Sequence, residues 1–156
     1  MKRIENPCLH IVLYEPEIPA NTGNIARLCG AAELILDLIH PLGFKTDDRN
    51  LKRAGLDYWA EVDVRHHLSF ETFLKTLLPD AGLHAFSTHA STPYTRATVR
   101  PGDSLIFGPE TRGLPSHIRE AYPSYTIPIW GRVRSLNLST SVGIVTYHYL
   151  HRMGRF

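Results

Sequence analysis

Short apolar runs, each stopped by proline, glycine or charge, recur along the chain. Cys8 to Tyr14 (CLHIVLY) is compact, apolar and partly β-branched, and it ends at Glu15-Pro16, which predicts a buried strand. In EPEIPANTGNIARLCGAAE the period changes. Pro16 and Pro19 keep residues 15 to 19 extended, Asn21 or Thr22 can cap, and Ile25, Leu28, Cys29 and Ala32 fall on one helical face. The alternation continues with a strand at Leu34 to Ile39, then a short helix over 47 to 54 with acids at its start and bases at its end, closed by Gly55. Further strands are expected at Ala60 to Val64, Leu83 to Thr88, Ser104 to Phe107 and Tyr125 to Ile129. Helices are expected at Ser69 to Leu78, Ser116 to Ala121 and Leu138 to Met153, the last with Ser135, Asn137 or Ser139 near its start. Short buried strands alternating with helices make the fold class α/β, a mostly parallel sheet with helices on both faces.

In such sheets ligands bind beyond the carboxyl ends of the strands. Four loops there carry unusual polar content: EPEIPANTGN after the first strand, STHAST after Phe86, GPETRG after Phe107, and PIWGRVRSLNLS after the 125 to 129 strand. They share one expected rim. Asn21-Thr22-Gly23-Asn24 is either an ordinary N-cap or a helix start whose free N–H groups receive a phosphate or carboxylate. Arg27 is either an exposed helix arginine or turned toward that rim. In GPETRG, Gly108 and Gly113 permit close approach to a flat ligand such as adenosine, whereas the bland alternative pairs Glu110 with Arg112 as a structural clasp. Neither the GxxxxGK[ST] lysine nor a GxGxxG fingerprint is present. Around Ser135, Asn137 and Ser139 three hydroxyl or amide side chains crowd one helix start; a cap needs only one, so the surplus points to a ligand.

Composition narrows the choice of partner. At 156 residues the length suits one core, hence a single domain over 1 to 156, and hydrophobic and charged fractions of 43% and 21% are those of an ordinary globular protein. The apolar stretches fall short of membrane-spanning length and MKRIENP lacks a signal-peptide core, so a cytoplasmic protein with no membrane partner is expected. Cys8 and Cys29, without CxxC spacing, read as core thiols. His148 and His151 have helical spacing but no matching carboxylate cluster, and no metal is expected. Charge is uneven: residues 1 to 95 hold 9 Lys+Arg against 12 Asp+Glu, and residues 96 to 156 hold 8 Arg against 3 acids. Arginine's planar fork suits phosphate, so the asymmetry fits an anionic partner such as RNA, or else a set of solvated surface arginines.

Taken together, EPEIPANTGNIARLC, RAGLDYW, FGPETRGLP and IPIWGRVRSLNLSTSVGIVTYH, in that order and spacing, resemble the SPOUT superfamily of RNA methyltransferases. The likeness runs from about Leu9 to Gly154 and is greatest to the short tRNA 2′-O-methyltransferases that act on the wobble nucleotide, position 34, a cytidine or modified uridine. FGPETRGLP followed by SLNLS marks the 2′-O-methylating branch, and EPEIPANTGN with RAGLDY marks the wobble enzymes. The resemblance implies a deep C-terminal trefoil knot, which general topology rules disfavour. It also implies bound S-adenosylmethionine and a homodimer whose site is completed by both subunits.

Carried onto this sequence, the resemblance places the cofactor among Phe86, Ser87, Thr88, Gly108, Glu110, Ile127, Ile129, Ser135, Leu136 and Leu138. It implies a catalytic set of Asn21, Arg27, Glu110, Ser135 and Asn137. With no separate RNA-binding domain, tRNA contact is expected from Arg112, Arg132, Arg134 and Trp130, alongside Arg96, Arg100 and Arg119. Trp130-Gly131-Arg132-Val133 replaces a segment that usually bears proline and aspartate, and Phe86 stands where a smaller aliphatic residue is common. Trp130 either stacks on a base or packs on the partner subunit. The alternatives to wobble methylation are the same chemistry on another tRNA position or ribosomal RNA, and a non-catalytic module that binds RNA or cofactor.

Overall fold

The computed structural model describes residues 3–47, 49 and 56–156. Strand β1 (His10–Tyr14) leads into helix α1 (Pro19–Ala32), then β2 (Ile35–Ile39), a 3₁₀ turn (Leu56–Glu61) and β3 (Asp63–His67). The chain continues through α2 (Phe70–Leu74), β4 (Leu83–Phe86), a 3₁₀ turn (Tyr94–Arg96), β5 (Ser104–Phe107), α3 (Ser116–Ala121), β6 (Ser124–Tyr125) and α4 (Leu138–Arg152). The strands form a six-stranded sheet in the order β3-β2-β1-β5-β4-β6, with every pairing parallel.

Side-chain alternation sorts the core onto two faces. Ile11, Leu13, Leu36, Leu38, Leu105 and Phe107 pack on one side against Ile25 and Cys29 of α1 and Val142, Val145 and Tyr149 of α4. Val12, Ile39, Ala85 and Ile106 face the other way, onto Phe70 and Phe73 of α2 and Ile118 of α3. Each fully buried Ile or Leu is worth roughly 1.5–3 kcal/mol relative to exposure. Burial pushes the Cys29 thiol up, as suits a core thiol.

Several expected boundaries move, each for a local reason. Helix α1 begins at Pro19 with Ile18 as N-cap, so Asn21 and Thr22 lie inside its first turn and do not cap it. Proline at the first helical position is preorganised and needs no N–H. The strand expected at Ala60 to Val64 is displaced to Asp63–His67, after a 3₁₀ turn. Charged and imidazole side chains interrupt the apolar signal of that edge strand. Helix α2 stops at Leu74, and a turn at Lys75 and Thr76 follows before Pro79. Strand β4 ends at Phe86, and β6 holds only Ser124–Tyr125, extended by a bridge from Thr126 to Pro93; Pro128 has no N–H to give to a ladder. The helix expected over 47 to 54 falls mostly outside the described residues.

Two buried carboxylates pin the sheet from within. Asp37 on β2 accepts from His10 (2.8 Å) and His67 (2.6 Å). Asp103 accepts from the Gly82 and Arg100 amides and from His84, at 2.6, 2.8 and 2.9 Å. Strands β1 and β5 are neighbours, but the chain leaves β1 toward β2 and reaches β5 from the other half of the sheet. Their following loops diverge, and a crevice opens between them.

Candidate active site

A cavity of about 670 Å³ lies beyond the carboxyl ends of β1, β4, β5 and β6, within the range of small-molecule sites. Phe86, Phe107, Ile127, Ile129, Leu136 and Leu138 give it an apolar lining. Asn21, Glu110, Ser135 and Asn137 are among its polar groups. The rings of Phe86 and Phe107 stack at 5.0 Å between centroids, fixing the wall between β4 and β5.

Three of these groups, Glu110, Asn21 and Asn137, form one connected chain. Glu110, three residues past β5, accepts from the Glu17 amide (2.8 Å), the Ile18 amide (3.0 Å) and the Asn21 side-chain amide (3.2 Å). A single carboxylate thus satisfies backbone donors at the start of α1, whose N-cap Ile18 has no side chain to offer. Asn137 donates to the Asn21 side-chain oxygen at 3.0 Å. Its own oxygen accepts from the Ser139 and Thr140 amides and caps α4. The carboxylate after β5, the first turn of α1 and the N-terminus of α4 are therefore held in register by three side chains.

Glu110 does not pair with Arg112, which overturns the clasp reading of GPETRG. Arg112 reaches Glu15 (3.0 Å) and Glu17 (3.4 Å) in the loop after β1. The Thr111 hydroxyl lies 2.7 Å from Glu17, and this hydrogen bond, with the nearby Arg112, holds the Glu17 carboxyl below its usual range. Gly108 is demanded by the turn itself: a Cβ there would sit 2.2 Å from the Leu114 nitrogen and 2.3 Å from the Gly113 carbonyl carbon. Gly113 has a φ of 67°, in the left-handed region.

Of the residues expected from sequence to meet the cofactor, Phe86, Ser87, Thr88, Gly108, Glu110, Ile127, Ile129, Ser135, Leu136 and Leu138 all line this cavity. Asn21, Glu110, Ser135 and Asn137 are brought together there, and Arg112 and Arg134 also line it. Arg27 lies elsewhere: it is exposed on α1 with its guanidinium 5.0 Å from the centre of the Tyr58 ring. Trp130 and Arg132 stand outside the cavity on an exposed segment, Trp130 at 92% exposure. Glu17 and Thr111 were missed in sequence, where EPE reads as a proline-bounded loop; only the fold brings that loop against GPETRG. Among the described residues no cluster of three or more His, Cys, Asp or Glu is placed to hold a metal ion, and no helix is long and apolar enough to cross a membrane.

Fold and cavity define an α/β protein with a ligand-sized cleft at the switch point of a parallel sheet. Within that class the chain belongs to the SpoU rRNA Methylase family, which matches residues 8–147. It is 44% identical over 153 residues to a tRNA (cytidine(34)-2'-O)-methyltransferase of Yersinia pestis, covering 94% of each chain. A solved structure concerning the 2-OH methylation of C/U34 on tRNA matches with a TM-score of 0.90 and 48% identity, over 95% of this chain and 98% of that one. The fold is shared with the SpoU methyltransferase AviRb from Streptomyces viridochromogenes, solved in complex with AdoMet: TM-score 0.85 and 18% identity, over 97% of this chain and 60% of that one.

Proposed function

We propose that this chain transfers a methyl group from S-adenosylmethionine to the ribose 2′-hydroxyl of nucleotide 34, the wobble position of tRNA. The observation that carries the reading is nearly full-length similarity, at 44% and 48% identity, to proteins named for that nucleotide. The cavity fits the cofactor: apolar side chains from Phe86, Ile127, Ile129 and Leu138 suit a purine, and Asn21, Ser135 and Asn137 offer polar groups on the same lining. When bound, the cofactor supplies a sulfonium methyl that passes to the 2′-oxygen as the hydroxyl proton is lost and S-adenosylhomocysteine leaves.

The sulfonium is already a good leaving group, so this chain's residues chiefly align two atoms. Glu110, Asn21 and Asn137 fix the helix starts that border the cleft, with Ser135 beside them. Arg27 serves by placing a substrate phosphate or by easing loss of the hydroxyl proton electrostatically, since guanidinium stays protonated. Its position off its own chain's cavity supports a homodimer in which each site draws on both subunits. The exposed Ile144 and Tyr147 of α4, beside the exposed Ala20, Asn24 and Arg27 of α1, supply an apolar-edged face for that contact.

Residues 1 to 156 act as one methyltransferase domain, with the C-terminal segment threaded through a loop as a deep trefoil knot, in the cytoplasm where tRNA is processed. Exposed Trp130, Arg132 and Arg134 meet the RNA at the cavity mouth. The test is transfer of labelled methyl to a bulk tRNA pool, followed by mapping of the modified ribose. Label at nucleotide 34 is expected; cofactor binding with no label on tRNA refutes the assignment. The name of the matched family favours ribosomal RNA as the second reading, and label found there instead would select it.

A further inference from the structure

The loops after β1 and β5 are tied to each other in both directions. Glu110 of the second loop accepts from two amides of the first, while Glu17 of the first accepts from the Thr111 amide (3.3 Å) and hydroxyl (2.7 Å) of the second. Arg112 closes the arrangement through Glu15 and Glu17. Two carboxylates, Glu15 and Glu17, therefore hold one guanidinium. Such a site disfavours a phosphate, which would have to displace one carboxylate and approach the other. Arg132 and Arg134 differ, since neither makes an ion pair among the described residues and both are exposed.

We propose that Glu17 and Arg112 are positioning residues of the cofactor cavity, locking the loop after β1 to the loop after β5, and that Arg112 is not a phosphate ligand for tRNA. Resting on the methyltransferase reading above, the proposal gives the lock a definite task. Thr111 adjoins Glu110, so anchoring Thr111 and Arg112 on Glu17 aims the Glu110 carboxylate at Ile18 and Asn21. Without the lock, the GPETRG turn is free to swing at the cavity mouth.

Two measurements on the full chain test this. Calorimetry with S-adenosylhomocysteine reads the cavity without turnover, and the dependence of tRNA affinity on salt counts phosphate contacts. Arg112→Ala is expected to weaken S-adenosylhomocysteine binding about 3-fold, the scale of an exposed ion pair. Glu17→Ala should weaken it about tenfold, since charge-assisted hydrogen bonds are lost as well. The double variant should bind no worse than Glu17→Ala, because one lock is removed once. The salt slope of Arg112→Ala should equal that of the parent chain, whereas Arg132→Ala should be shallower by about 0.7–0.9. A shallower slope for Arg112→Ala with unchanged S-adenosylhomocysteine binding would overturn the proposal. Absence of S-adenosylhomocysteine binding by the parent chain would instead sink the methyltransferase reading.

Discussion

Glu110 does at one position what several capping groups do elsewhere: its two oxygens serve three donors at the start of α1, the Glu17 and Ile18 amides before the helix and the Asn21 side chain in its first turn. Replacing it with glutamine turns one acceptor into a donor aimed at an N–H. Glu110→Gln is expected to weaken S-adenosylhomocysteine binding roughly tenfold, the cost of one hydrogen bond to a charged group left unmade; titration calorimetry checks it. Asp37 is the residue that makes stability depend on acid. Burial pushes its carboxyl up, but the hydrogen bonds from His10 and His67 outweigh burial and hold it below its ordinary value of 3.8. A carboxyl depressed in the folded state stabilises fully above that ordinary value and loses its contribution as pH falls through the lower folded one. Melting temperatures measured from neutral pH downward should therefore fall less steeply in the acid range for Asp37→Asn than for the parent chain. At neutral pH the variant should be less stable by about 1–3 kcal/mol, since an amide cannot accept from both imidazoles as the carboxylate does.

At the scale of elements, α1 and α4 start beside the same cavity, and Asn137 links them while also capping α4. The two tasks separate by substitution. Asn137→Asp keeps the acceptor that caps α4 and loses the amide that donates to Asn21, placing a second carboxylate near Glu110. Its melting temperature should stay close to that of the parent chain, whereas methyl transfer should drop about tenfold or more. Asn137→Ala should lose both, with about 1 kcal/mol of stability gone with the cap. Equal loss of stability in both variants would mean that the link to Asn21, not the cap, holds α4 in place.

For the whole molecule, α4 exposes Thr140, Ile144, Tyr147 and His151, and α1, which packs against it, exposes Ala20, Asn24, Arg27 and Ala31. Helical spacing puts each set on one side of its helix. If two copies meet there, light scattering should give twice the chain mass, and Ile144→Glu should shift the protein to monomer by burying an unpaired charge. Methyl transfer should fall with it, because Arg27 would then lack a second cavity to serve.

Much of this was legible in the chain itself. Apolar runs of strand length fixed β1, β2 and β5 nearly to the residue, because parallel strands buried on both faces read as near-continuous apolar runs. The loop wording after β1, β5 and β6 named the cavity's polar set, since chemistry needs particular side chains in a particular order. Edge strand β3 hid its signal behind Arg65 and His66, and the start of α1 was misread because Asn21 looks like a cap when its partners are unseen. Which groups Asn21, Glu110 and Arg112 bind was decided only by the tertiary structure. Residues about ninety apart in sequence meet only because β1 and β5 lie side by side, and no local pattern encodes the pairing of two strands. Sequence determined the types of side chain and the strands and helices that carry them; the fold decided that Glu110 faces helix α1 while Arg112 answers Glu15 and Glu17, because hydrogen bonds and ion pairs act only at contact distance.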